Sequence, residues 1–154
     1  MENASARNLW GDFLDAHLEF ASQQAPKVIH FSDNETDANL CADLVCKETK
    51  RATTHSLKGL QLRNEKLPKI GDFYVVTDWN GNAKCVIRTT AVKLIPYFSV
   101  REEHARKEGE GDKSLDQWKK THWDYYTREL TQLGSRPTES MIVVFEEFEM
   151  LYKK

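Results

Sequence analysis

The chain has 154 residues, 40% of them hydrophobic and 30% charged, which is the size and balance of one folded domain and excludes wholesale disorder. Its longest unbroken apolar run, Met141 to Phe145, is far shorter than the roughly 20 residues that cross a bilayer, so no membrane span is expected. The formal net charge is only −2, and the three cysteines, Cys41, Cys46 and Cys85, form no CxxC pair, which points to reduced thiols rather than a disulfide framework.

The N-terminus, MENASARNLWGDF, has an acid at position 2 and no cationic-then-apolar leader, so a cytoplasmic location is expected. Trp10, Phe13, Leu14, His17, Leu18 and Ala21 recur at helical spacing and predict an amphipathic helix over the first 24 residues, ended by Pro26. A second helix is expected from Asp33–Thr36, where polar caps precede Leu40, Cys41, Leu44 and Val45, running into Lys47–Lys50. Thr49, Thr53 and Thr54 then favour an extended chain.

Pro68–Asp72 is turn chemistry ahead of a strand over Phe73–Trp79. Asn80-Gly81 predicts a type I′ turn into an antiparallel partner, Ala83–Leu94, which Pro96 stops. Ser99 and Glu102 have capping-box spacing for a short helix through Lys107, broken by Glu108-Gly109-Glu110-Gly111-Asp112. Ser114 and Gln117 repeat that pattern before a long helix closed by Gly134, whose aromatic face is read as core. Met141–Tyr152 alternates as a final strand, with Glu146 interrupting its apolar face and a bulge as the expected cause. The order predicts an α+β plan with a mainly antiparallel sheet.

Charge is segregated along the chain. Residues 1–46 hold two bases against eight acids, whereas residues 47–69 hold seven bases against two acids. That second segment is the strongest positive field readable from sequence, and an anionic partner would be drawn to it. The five histidines show no HExxH or comparable ligand spacing, so no metal or other cofactor is expected.

Several segments, in this order, resemble the ASCH domain family. They are Lys50-Arg51-Ala52-Thr53-Thr54, which matches a KxxT core, Leu67–Asp72, Val86–Val92 and His104–Asp112, followed by Trp118, His122, Trp123 and the last strand. The resemblance spans about residues 30–152. It implies a PUA-like, mainly antiparallel β-barrel with flanking helices over residues 30–154, with residues 1–29 as a helical extension packed on it. It also implies an association with RNA. Some small bacterial members are amidohydrolases that remove the acetyl group from N(4)-acetylcytidine, while others are described as ribonucleases or as RNA-binding modules. Two departures stand out: Glu48 occupies a position where the family motif has glycine, and His55 one where the short hydrolases have arginine.

Carried over residue by residue, the amidohydrolase pattern implies Lys50, Thr53 and Glu108 as catalytic residues. A threonine hydroxyl is a poor nucleophile without a base to take its proton. The implied scheme has a neutral Lys50 take the proton from Thr53, and Glu108 donate one to the departing cytosine amine. Arg51, Thr54, His55, Tyr74, Arg88, Trp118 and Trp123 are the candidate contacts to RNA or to a modified nucleoside, through phosphate pairing and base stacking. The expected activity is metal-independent hydrolysis, either deacetylation of a modified cytidine or cleavage of RNA. The alternative is a non-catalytic RNA-binding module in which Lys50 and Arg51 contact phosphate. A protein-interaction domain built on the acidic N-terminal helix is a third class.

Overall fold

A computed structural model describes all residues, 1–154. Helix α1 (Ala4–Ala16) is capped by Asn3, whose Oδ1 accepts from the Ala6 N–H at 2.9 Å. It is shorter than its periodicity suggests, because the chain leaves helical geometry at His17 and makes a 3₁₀ turn over Leu18–Phe20. The turn brings Phe20 back to stack on Phe13 at 5.7 Å. In a continued helix these two positions would sit about 10 Å apart along the axis.

Strand β1 (Lys27–Ile29) follows, inside the segment read as the extension. Helix α2 (Glu35–Cys46) starts on Asn34, which accepts from the Asp37 N–H, and ends before the basic residues it was expected to reach. The chain reverses through Glu48 at φ +62, the left-handed region that favours glycine. Strand β2 (Ala52–Ser56) runs directly into helix α3 (Leu57–Leu62), an unexpected element capped by the Ser56 hydroxyl.

Strands β3 (Phe73–Thr77) and β4 (Ala83–Pro96) form the expected antiparallel pair. Their connection is the longer loop Asp78–Asn82 rather than a two-residue turn, and the Asp78 carboxylate closes it by accepting from the Asn82 N–H at 2.8 Å. Helix α4 (Glu102–Glu108) begins on Arg101, not on Ser99, which lies in a 3₁₀ turn over Tyr97–Ser99. His104 Nδ1 accepts from the Arg101 N–H at 2.9 Å and so supplies the cap. Helix α5 (Leu115–Gln132) starts on Ser114 as expected, and strand β5 (Ile142–Lys153) closes the chain.

The strands form one sheet in the order β1-β3-β4-β5-β2, parallel only between β1 and β3. It is a curled half-barrel flanked by helices, an α+β fold. Its curl has a local cause: opposite Glu147 and Phe148, strand β4 carries Thr90 as an extra residue, and such a bulge bends and twists a strand. Further bulges lie at Lys84 on β4 and at Leu151 on β5, but none at Glu146, which keeps regular register with Thr53 and Val92, so a bulge is not what interrupts the apolar pattern there. Helix α1 packs Trp10 and Phe13 on Phe73, Val75 and Val86. Helix α2 packs Cys41 and Val45 on the other face, against Val76, Cys85 and Ile87. No helix is long and apolar enough to cross a membrane.

Candidate active site

A cavity of about 270 Å³ opens on the face of the sheet away from α1. Strand β2 lies at the sheet edge, so side chains from both of its faces border this space. Successive side chains on a strand alternate, which puts Thr53 and His55 on one face and Thr54 on the other. The cavity gathers six of the ten residues singled out from sequence: Lys50, Thr53, Thr54, His55, Tyr74 and Glu108.

Its most buried part is a charge cluster on the Thr54 side. Lys50 is 2% exposed and its ammonium donates to Ala52 O at 2.8 Å, Glu110 Oε2 at 2.7 Å and Glu108 Oε1 at 3.4 Å. Three N–H donors thus meet three acceptors, and no lone pair faces the cavity. Burial alone would push the amine down, but the Glu110 and Glu108 carboxylates outweigh it and hold Lys50 above the ordinary lysine value.

Glu108, 1% exposed, accepts from the Thr54 hydroxyl at 2.8 Å, from the Trp118 indole N–H, and pairs with His122 Nε2 at 3.2 Å. Burial by itself would raise its carboxyl. The charges of His122 and Lys50, with the hydrogen bonds from His122 and Trp118, hold it well below the usual carboxylate range. His122 responds in kind: burial lowers its imidazole, the Glu108 carboxylate raises it further, and the net shift is upward. Trp118 stacks on the His122 ring at 4.0 Å and fixes its plane.

The loop geometry explains how these groups meet. Gly109 sits at φ +69, and a Cβ there would collide with the Thr49 carbonyl. Only glycine lets the turn after α4 press against the chain at Lys50, so that Glu108 and Glu110 both reach the amine. The two carboxylates converge on the ammonium, while His122 meets Glu108 from the other side. No group of three His, Cys, Asp or Glu side chains is arranged to hold a metal ion.

A second cluster lies on the Thr53 side. Glu146, 4% exposed, pairs with His55 Nε2 at 2.8 Å and accepts from the Thr89 hydroxyl at 2.6 Å. Thr53 is its cross-strand partner and makes no hydrogen bond from its hydroxyl to another protein group. Phe148 and Tyr74 give this part of the cavity aromatic walls, and Phe31 stacks on Phe148 while its ring centroid lies 5.3 Å from the Lys50 ammonium. The interruption that Glu146 makes in the apolar pattern of β5 thus marks a cavity carboxylate. Glu110 and His122 are further site residues that the sequence reading did not select.

Four candidates lie elsewhere. Arg51 is exposed, and its backbone, not its side chain, joins the structure by bonding Lys107 O and the Phe148 N–H. The Arg88 guanidinium lies 5.6 Å from the rings of Phe20 and Phe73, in the α1 seam. Trp118 is buried behind Glu108, and Trp123 packs on Tyr97 at 5.3 Å. The basic segment is also dispersed rather than a common field: Lys47 pairs with Asp43, Lys50 turns inward, and Arg63 is held by Glu65 and Glu129.

The implied scheme needs a neutral Lys50 and a proton on Glu108, whereas the carboxylates around the amine shift it toward its charged form and the cations around Glu108 shift the carboxyl toward its ionised form. The hydroxyl in contact with Glu108 is that of Thr54, not Thr53.

The family model described as the ASCH domain matches residues 27–152. The chain therefore belongs to the ASCH domain family. It is similar to the ASCH domain from Lactobacillus crispatus JV V101, at 32% identity and a TM-score of 0.90, covering 95% of this chain and 93% of that one. It is also similar to a protein of known structure from Enterococcus faecalis V583, at 30% identity and a TM-score of 0.87, over 96% of this chain and 88% of the other. No curated protein matches the sequence.

Proposed function

We propose that this cavity binds the base of a pyrimidine nucleoside, free or within RNA. The observation that carries the reading is the buried Glu146 carboxylate set among the aromatic walls of Tyr74 and Phe148. Flat rings stack on aromatic side chains, and a carboxylate accepts from an exocyclic amino group such as that on cytosine. Each Glu146 oxygen accepts one protein hydrogen bond and keeps a second acceptor site for a ligand. The volume, near the lower end for ligand pockets, suits one base rather than a stacked run.

Hydrolysis of an amide on that base is a second reading, favoured by the free hydroxyl of Thr53 at the cavity surface. In that case Thr53 Oγ bonds to the acyl carbon and its proton passes to a carboxylate, for which register makes Glu146 the candidate. The amine leaves as the C–N bond breaks, taking that proton from Glu146. Water then cleaves the Thr53 ester, one of its protons passing through Glu146 to Thr53 Oγ as the carboxylic acid is released, so both groups end as they began. Lys50, with its three N–H bonds already committed, stays charged and takes no part in the proton transfer.

Both readings are tested by titrating the protein with cytidine, uridine and N(4)-acetylcytidine in a calorimeter, then incubating it with N(4)-acetylcytidine and with short RNA for mass spectrometry. Binding of cytidine in preference to uridine is expected, and loss of that preference in Glu146→Gln. Absence of binding by all three nucleosides overturns the proposal. Deacetylated product that disappears in Thr53→Ala supports hydrolysis, and turnover surviving that change eliminates Thr53 as nucleophile.

A further inference from the structure

The outer part of the cavity has the opposite electrical character to its floor. Inside, Glu108, Glu110 and Glu146 outnumber the one lysine, Lys50. At the rim stand Lys27, from edge strand β1, and Lys66, from the loop after α3, both exposed and both lining the cavity. Neither has a carboxylate within ion-pair distance. The neighbouring Arg63 shows the contrast, since Glu65 at 3.1 Å and Glu129 at 2.7 Å already occupy it. The two lysines are therefore the cavity's uncommitted cations, and they lie on separate segments that approach its opening.

A ligand fitting this gradient presents hydrogen-bond donors at its inner end and negative charge at its outer end. We infer that Lys27 and Lys66 form a phosphate-binding rim, so that the cavity takes a phosphorylated nucleoside unit in preference to a free nucleoside. This rests on the reading of the cavity as a base pocket and specifies its substrate class. With the base against Tyr74 and Glu146, the sugar points outward and its phosphate reaches the mouth. Ammonium groups suit this position because each is a mobile point charge that adjusts to a phosphate oxygen. The unit has two sources, a mononucleotide or one residue of an RNA strand, and both present the same chemistry at the rim.

The test compares cytidine, cytidine 5′-monophosphate and a short oligocytidylate by calorimetry at low salt, in the wild type and in a Lys27→Gln/Lys66→Gln variant. The wild type is expected to bind the monophosphate about tenfold more tightly than cytidine, a preference that shrinks as salt screens the exposed charges. In the double variant the ratio should fall to about one. Both substitutions are at the surface, and circular dichroism confirms that the variant is folded. A gain for the monophosphate with nothing further for the oligomer identifies a mononucleotide, whereas a further gain for the oligomer identifies a strand. Equal binding of cytidine and its monophosphate by the wild type overturns the rim while leaving the base pocket standing, as does a phosphate preference that persists without the two lysines. If none of the three ligands binds, the pocket reading fails, and the rim falls with it.

Discussion

The two faces of the sheet solve burial in different ways. On one, α1 lays Ala6, Leu9, Trp10 and Phe13 against Phe73, Val75 and Val86, groups that attract one another without direction. On the other, Lys50, Glu108 and Glu146 are as deeply buried, and each is retained through named partners at hydrogen-bond distance. Removing one apolar group leaves a hole whose cost depends on how far the neighbours relax. Removing one charge leaves another charge buried and uncompensated. The face that is more demanding to build is the one that borders the cavity, which is where chemical specificity has a use.

The largest expected effect tests that contrast directly. Lys50→Met should cost about 3–5 kcal/mol of stability, because Glu108 and Glu110 are left without their shared cation. Phe13→Ala should cost a similar amount, about 3–5 kcal/mol, through the cavity left beneath α1. Urea unfolding measures both. The variants part in function: Phe13→Ala, measured while folded, should keep nucleoside binding, and Lys50→Met should lose it. Loss of binding in folded Phe13→Ala would show that the two faces are coupled. Adding Glu108→Gln to Lys50→Met should restore part of the lost stability, since it removes one of the stranded charges.

A smaller, pH-dependent effect belongs to the charged face alone. Glu108 is shifted down, so its contribution is present above the ordinary carboxylate pKa of about 4.3 and is lost as pH falls through its lowered value. His122 is shifted up, so its contribution is complete below about 6.5 and is lost as pH rises through its raised value. Melting temperature against pH should therefore decline on both sides of a mildly acidic maximum. Replacing His122 by Asn should flatten the alkaline arm, whereas Phe13→Ala should lower the whole curve without changing its shape.

What could be read from the sequence follows the same division. Local chemistry was legible: the β3–β4 pair in its alternating residues, the start of α2 at Asn34, and that of α5 at Ser114, each with a hydroxyl or amide placed to take an N–H. Strand β1 was not, since three residues have no measurable period and their parallel pairing with β3 is set by tertiary contact. Helix α3 escaped because it is six residues long with Gly59 inside it, and its cap, Ser56, is also the last residue of strand β2. The family motif pointed to Lys50, Thr53 and Glu108, which border one cavity, but proton positions depend on partners that folding brings from distant segments. Glu110 and His122 reach Lys50 and Glu108 in that way. Glu146 did leave a trace as an acid in an apolar strand, and the more informative question there was which space it faces.

The smallest effect returns to the apolar face, where one polar residue locates the seam. Asn3 Oδ1 caps α1 through the Ala6 N–H, and Asn3 Nδ2 donates to Gly81 O at 2.7 Å, tying the helix start to the β3–β4 loop. Ser5 adds a neighbouring link by accepting from the Ala83 N–H at 2.8 Å. Asn3→Ala should cost about 1 kcal/mol, the usual worth of an N-cap, and lower the melting temperature by roughly 2–4 °C. Asn3→Asp keeps the cap and gives up the donor to Gly81, so it should recover most of that loss if capping dominates. Equal destabilisation by Asp and Ala would instead make the tie to the loop the main contribution, and the directional bond, rather than the apolar contact beside it, would then set where α1 lies on the sheet.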